Sequence, residues 1–139
     1  MHETSLPDSL RERLIQAAIE AAKHSYSPYS KFPVGAALYT QDEQIITGCN
    51  VENASFGLTI CAEQTAMVKA CSQNAGKPLA IAVISQSDRH IPPCGRCRQF
   101  LAEFNYHMTV ISCTHNGDWK IFSLSQLLPF EFSNTDLPI

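Results

Sequence analysis

Cys94 and Cys97, in the stretch PPCGRCR, stand three residues apart and so can share one face of a helix. They follow a Pro-Pro break and fall at a helix start, where free backbone N–H groups and the helix dipole favour thiolates. Such a pair serves either as a redox dithiol or as half of a zinc site. A third cysteine, Cys61 in TICAEQT, opens another apolar, helix-like run, and Glu63 stands two residues beyond it. No thioredoxin-like context surrounds the Cys-x-x-Cys pair, and a third thiol favours metal. Three protein ligands leave the fourth tetrahedral position for water, the pattern of a catalytic zinc. Glu63 would then lie near that water and move protons without binding the metal. A structural zinc would need a fourth ligand, and His90 is the only nearby candidate; otherwise it is an ordinary loop residue.

For the three thiols to meet, two helix starts must lie side by side at one end of a sheet. The segment SLPDSLRERLIQAAIEAAKHS reads as an amphipathic helix, with Leu10, Leu14, Ala17, Ala18 and Ala21 at helical spacing and Ser9 and Glu12 as a capping box. VGAALYT and QIITGCNV read as a hairpin around QDE. A second helix runs from about Cys61 to Ala75, stopped by Gly76 and Pro78. LAIAVIS is almost wholly apolar, as in a strand buried on both faces. A third helix covers roughly Cys94 to Phe104. MTVISCT and WKIFSL are two further strands around HNGD, and SLSQLLP is a short final helix. Strand, helix, strand, helix, strand predicts an α/β layered domain with a mixed sheet, spanning residues 1–139. Cys49, Cys71 and Cys113 fall inside these elements and read as small buried hydrophobes.

The bulk composition narrows the function classes. A chain of 139 residues, 45% hydrophobic and 17% charged, suits one globular domain rather than a disordered segment. Its net charge of −3 and scattered 10 Lys and Arg argue against a nucleic-acid binder. No apolar stretch is long enough for a membrane span, and MHETSLPDSL lacks a leader pattern. A cytoplasmic protein with unpaired thiols or metal ligands is expected.

Cys61-Ala62-Glu63 followed by Pro93-Cys94-Gly95-Arg96-Cys97 matches both halves of the zinc deaminase signature. With SPYSKFPVGAAL at 27–38, GCNVENASF at 48–56 and LLPFEF at 127–132, the chain resembles the small, three-cysteine cytidine deaminases over nearly its whole length. The resemblance implies a three-layer α/β/α fold with a five-stranded mixed sheet. It also implies one zinc per subunit on Cys61, Cys94 and Cys97, no organic cofactor, and a homotetramer whose active sites neighbouring subunits complete. The reaction implied is hydrolytic deamination of cytidine and deoxycytidine, a step of pyrimidine salvage. Zinc would activate a water for attack on C4, while Glu63 takes its proton, delivers it to N3 and later protonates the departing amine.

Asn50 and Glu52 match the family's pair for the ribose hydroxyls, although from their types alone they read as a turn residue and a solvated strand end. Phe32 matches the aromatic beside the pyrimidine, and Phe132 the one reaching in from another subunit's tail. Both otherwise read as core residues. The backbone around Ala62 would face the base. Two positions depart from the family pattern. Gln64 stands where three-cysteine members commonly carry an arginine that offsets the thiolates, so Arg96 or Arg98 is a candidate for the missing cation; each otherwise reads as part of a solvated helix face. Phe56 stands where a tyrosine is frequent, which removes a hydroxyl.

Rival readings are a deaminase of a modified cytosine nucleoside such as a nucleoside antibiotic, and a non-catalytic zinc module. Antibiotic deaminases related to this family share PCGRCRQ, so that segment alone does not decide, whereas FPVGAAL and NVENAS favour a plain nucleoside. A nucleotide would call for a cationic phosphate pocket, of which the sequence shows no sign, and RNA is disfavoured by charge and size. A binding module would have no need of Glu63.

Overall fold

Strand β1 (Gly35–Thr40) pairs antiparallel with β2 (Ile45–Cys49) as the expected hairpin, turning through Glu43 at φ 62°. The computed structural model that shows this describes residues 6–138; the reading of the N-terminal ten residues falls partly on 1–5, outside the described residues. Strand β3 (Pro78–Ile84) pairs antiparallel with β1 on its other edge and parallel with β4 (Thr109–Cys113), which pairs antiparallel with β5 (Trp119–Ser123). The sheet is therefore five-stranded and mixed, in the order β2-β1-β3-β4-β5.

The central strand explains its own apolar run. Successive side chains of a strand point to opposite faces. Ala80 and Ala82 join Leu14, Ile15 and Ala18 of helix α1 (Asp8–Ala22) on one face. Ile81 and Val83 join Ala66, Met67 and Leu101 on the other, where helices α2 (Ala62–Ser72), α3 (Gly95–Ala102) and the short α4 (Leu124–Leu127) lie. Both faces are covered, giving the three-layer α/β/α arrangement. Among the described residues no helix is long and apolar enough to cross a membrane.

Some boundaries differ from expectation. Ser9 and Glu12 form no capping box: α1 starts after Pro7, and Asp8 closes its first turn by accepting from Arg11 Nη1 at 2.8 Å. An acid already in the first turn satisfies the dipole there, and proline is well placed ahead of a helix. Helix α2 ends at Ser72, three residues early, because Asn74 takes the left-handed conformation at φ 55° before Gly76 is reached. Cys113 is buried as expected, but Cys71 lies on the outward side of α2 and is exposed, and Cys49 is half-buried.

Candidate functional site

The β2–α2–β3 and β3–α3–β4 connections bring the starts of α2 and α3 to the same end of the sheet. Cys61 is the residue before α2, Cys94 the residue before α3, and Cys97 sits in the first turn of α3. Gly48 lets α2 settle directly on β2: a Cβ there would stand 2.5 Å from the Ala66 nitrogen and 2.8 Å from the Ala62 carbonyl oxygen. The Sγ atoms of Cys61, Cys94 and Cys97 lie within 4.8 Å of one another. A tetrahedral zinc with Zn–S bonds of about 2.3 Å needs sulfurs about 3.8 Å apart, so this donor set fits the ion. His90 is not part of the cluster; its Nδ1 lies 3.2 Å from the Ser112 carbonyl oxygen.

The thiols are electrostatically linked. Hydrogen bonding from Cys97 holds the Cys61 thiol down at about 6 against its burial, with help from Cys94 and the charge of Arg96. Cys97 shifts the opposite way, raised by that same hydrogen bond and by burial. A divalent metal would displace the remaining thiol protons.

Glu63 is 6% exposed. Burial pushes its carboxyl up to about 7, assisted by Cys61 and opposed by its own backbone N–H. A carboxyl that titrates near neutrality can both take and give a proton there.

A cavity of about 330 Å³ opens at this group, lined by Cys61, Ala62, Glu63 and Cys94 together with Phe32 and Asn50. Thr59, Ser85, Ile91 and Pro92 also line it; only closeness in sequence to the cysteines hinted at Thr59, Ile91 and Pro92, and nothing hinted at Ser85. Glu52, Phe56 and Phe132 do not. The Glu52 carboxylate accepts from Tyr29 N–H at 3.0 Å, from Ser30 N–H at 3.1 Å and from the Ser30 hydroxyl, whose bond holds it below the usual carboxylate range. Phe56 is exposed, with its ring edge-on to Tyr29 at 6.0 Å. Phe132 is 58% exposed, while its backbone is clamped by the Gln99 side chain: Nε2 donates to its carbonyl at 2.7 Å and Oε1 accepts its N–H at 3.2 Å.

The arginines part ways. Arg98 lines the cavity and donates from Nε to the Pro93 carbonyl and from Nη1 to the Leu127 carbonyl, each at 2.6 Å. It is therefore no solvated helix residue but a tie between α3, the preceding loop and α4. Arg96 is exposed, in a groove it shares with Gln64 and Phe100. Gln64 is buried, and its Oε1 accepts the Cys61 N–H at 3.4 Å, the return half of a capping box that leaves Nε2 free to donate.

Residues 8–113 match the family model described as the cytidine and deoxycytidylate deaminase zinc-binding region. The chain belongs to that family. The family's members are hydrolases, and a cytidine deaminase of Halalkalibacterium halodurans is 45% identical over 128 residues, 91% of this chain and 97% of its own. A cytidine deaminase of Mycobacterium tuberculosis is 40% identical over 133 residues, 96% of this chain and 97% of its own. The crystal structure of a cytidine deaminase from Burkholderia pseudomallei superposes with a TM-score of 0.84 at 44% identity, covering 87% of this chain and 98% of that one. The cysteine cluster lies within the matched deaminase region and, among the described residues, is the group able to hold the zinc for which that region is described.

Proposed function

We propose that the chain deaminates cytidine and deoxycytidine to uridine and deoxyuridine, releasing ammonia. The observation that carries this reading is the convergence of three thiols beside one buried carboxyl in a cavity sized for a small molecule. Zinc held by Cys61, Cys94 and Cys97 would supply Lewis acidity and a nucleophilic water at neutral pH. Glu63 takes the proton of the attacking water and hands it to ring N3. It then takes the remaining proton from the new C4 hydroxyl and gives it to the amino group, so that the C4–N bond breaks, ammonia leaves and the C4 carbonyl forms. The walls around Ala62 and Phe32 keep the flat base against Glu63 and exclude bulk water. Asn50 and Glu52 bind the sugar's 3′-hydroxyl, which cytidine and deoxycytidine share, so both are substrates.

The subunits act as a homotetramer, with Phe132 completing a neighbour's site. Support comes from the aromatic tail, where Phe130 is 99% exposed, and from the match of this segment to the family pattern. The domain is taken as the whole chain, residues 1–139.

The deciding experiment follows the cytosine absorbance band of cytidine with zinc-loaded protein, wild type against Glu63→Gln. Wild type should bleach the band, and Glu63→Gln should retain zinc and fold while losing about 10² to 10⁴ of the rate. Equal rates, or no bleaching by a zinc-loaded wild type, would refute the reading.

A further inference from the structure

The Asn50 amide is almost fully committed before any substrate arrives. Its Oδ1 accepts the Val34 N–H at 2.9 Å, and its Nδ2 donates to the Phe32 carbonyl at 3.0 Å. These two backbone partners fix which way the amide faces, since a flip would set donor against donor and acceptor against acceptor. Ser25 adds a third bond, its hydroxyl donating to the same Oδ1. The Ser25 oxygen also lies 3.4 Å from the Asn50 carbonyl oxygen and 3.1 Å from Ser27 Oγ.

A side-chain amide has two acceptor lone pairs and two N–H donors. Val34 and Ser25 fill both lone pairs, and Phe32 takes one N–H. What remains is a single Nδ2 donor on a residue that is 8% exposed and lines the cavity. Glu52 is the mirror case. Of a carboxylate's four or so lone-pair sites, Tyr29 and Ser30 occupy three, which leaves one acceptor. One donor and one acceptor together match a hydroxyl, which accepts once and donates once.

We propose that Ser25 is a positioning residue for substrate: as the third anchor of the Asn50 amide, bonded to Oδ1 from behind, it holds the one uncommitted Nδ2 N–H toward the sugar's 3′-hydroxyl. The hydroxyl accepts from Asn50 and donates to Glu52. This rests on the nucleoside reading above. Without the Ser25 hydroxyl the amide loses one of its three anchors, and its one remaining Nδ2 donor is held less firmly toward the 3′-hydroxyl. Ser25 stands behind Asn50, lining a separate cavity of about 440 Å³ beside the end of α1, so it acts through Asn50 rather than on substrate.

The test compares wild type, Ser25→Ala and Ser25→Thr on cytidine and on 3′-deoxycytidine. Ser25→Ala should raise KM for cytidine about fivefold, the worth of one ordinary hydrogen bond, with kcat within about twofold. KM for 3′-deoxycytidine should not move, and Ser25→Thr should restore the cytidine value. In the free protein, the Asn50 side-chain amide signals should shift in Ser25→Ala and return in Ser25→Thr. An equal KM rise on both substrates would make Ser25 a merely structural residue. No rise on either would remove it from substrate positioning. A wild type inert toward both nucleosides would instead overturn the nucleoside reading itself, and this proposal with it.

Discussion

Gly48 of β2 lies so close under Ala66 of α2 that a Cβ would approach the Ala66 nitrogen to 2.5 Å. Backbone stands on both sides of that contact, so nothing can swing away. Gly48→Ala should therefore lift the start of α2, carrying Cys61 and Glu63 with it. Overpacking of this kind costs about 1–3 kcal/mol. Gly35 is the control, because a Cβ there would meet the Ala18 carbonyl oxygen at 2.0 Å on the opposite face. Both alanine variants should lower the melting temperature, but only Gly48→Ala should also weaken zinc retention against a chelator. Wild-type zinc retention in Gly48→Ala would sever the link between this contact and the site.

The tail aromatics give a test of assembly. If Phe132 enters a neighbour's site, Phe132→Ala and Glu63→Gln impair different contributions to a shared centre. Mixing the two inactive or weakened proteins, after exchange of subunits, should restore activity that neither has alone. Sedimentation should show four times the monomer mass for both. A monomer mass, or mixtures no more active than the sum of their parts, would refute sharing.

Arg98 joins two backbone carbonyls across three segments, and hydrogen bonds from a charged donor are among the stronger ones. Arg98→Ala leaves the Pro93 and Leu127 carbonyls without that donor and should cost about 2–4 kcal/mol in urea unfolding. Arg98→Lys has one donor head in place of a planar fork and should recover at most half. A loss below about 0.5 kcal/mol would mean water replaces the guanidinium freely.

Cys113 supplies a pH prediction. Burial, and then the charge of Glu12, pushes its thiol up to about 12 from an ordinary value near 9. In that interval the unfolded chain has released the proton and the folded chain has not, so the unfolded state binds fewer protons. Stability is thus unaffected below pH 9 and falls as pH rises toward 12, by at most about 1.4 kcal/mol per pH unit from this group. Denaturant unfolding at pH 8, 9 and 10 should show a shallower decline in Cys113→Ala than in wild type. Parallel declines would show that Cys113 ionises equally in both states.

Much of this was readable beforehand where the governing physics is local. The apolar run of β3 requires cover on two faces, and the Cys-x-x-Cys spacing places two thiols on one helix face whatever surrounds them. Turn chemistry at QDE and HNGD fixed both hairpins, the second with Gly117 at φ 91°. Local reading failed where two local signals competed. Asp8 with Pro7 displaced the Ser9 box, and Asn74 ended α2 ahead of Gly76. It failed also for Cys71, because helical spacing does not say which side of α2 meets the sheet at its last turn.

What the sequence by itself determined, then, was the inventory: an α/β chain of the cytidine and deoxycytidylate deaminase family, three thiols and a carboxylate at two helix starts. Only the tertiary structure decided how those starts meet, through the strand order β2-β1-β3-β4-β5 and the close approach at Gly48. It alone turned Gln64 back onto Cys61, tied Arg98 to two carbonyls, and set Ser25 against Asn50, twenty-five residues away. Side-chain hydrogen bonds have no periodicity for a sequence to display. Their partners are chosen by the packing of distant segments, and only the folded chain brings those segments together.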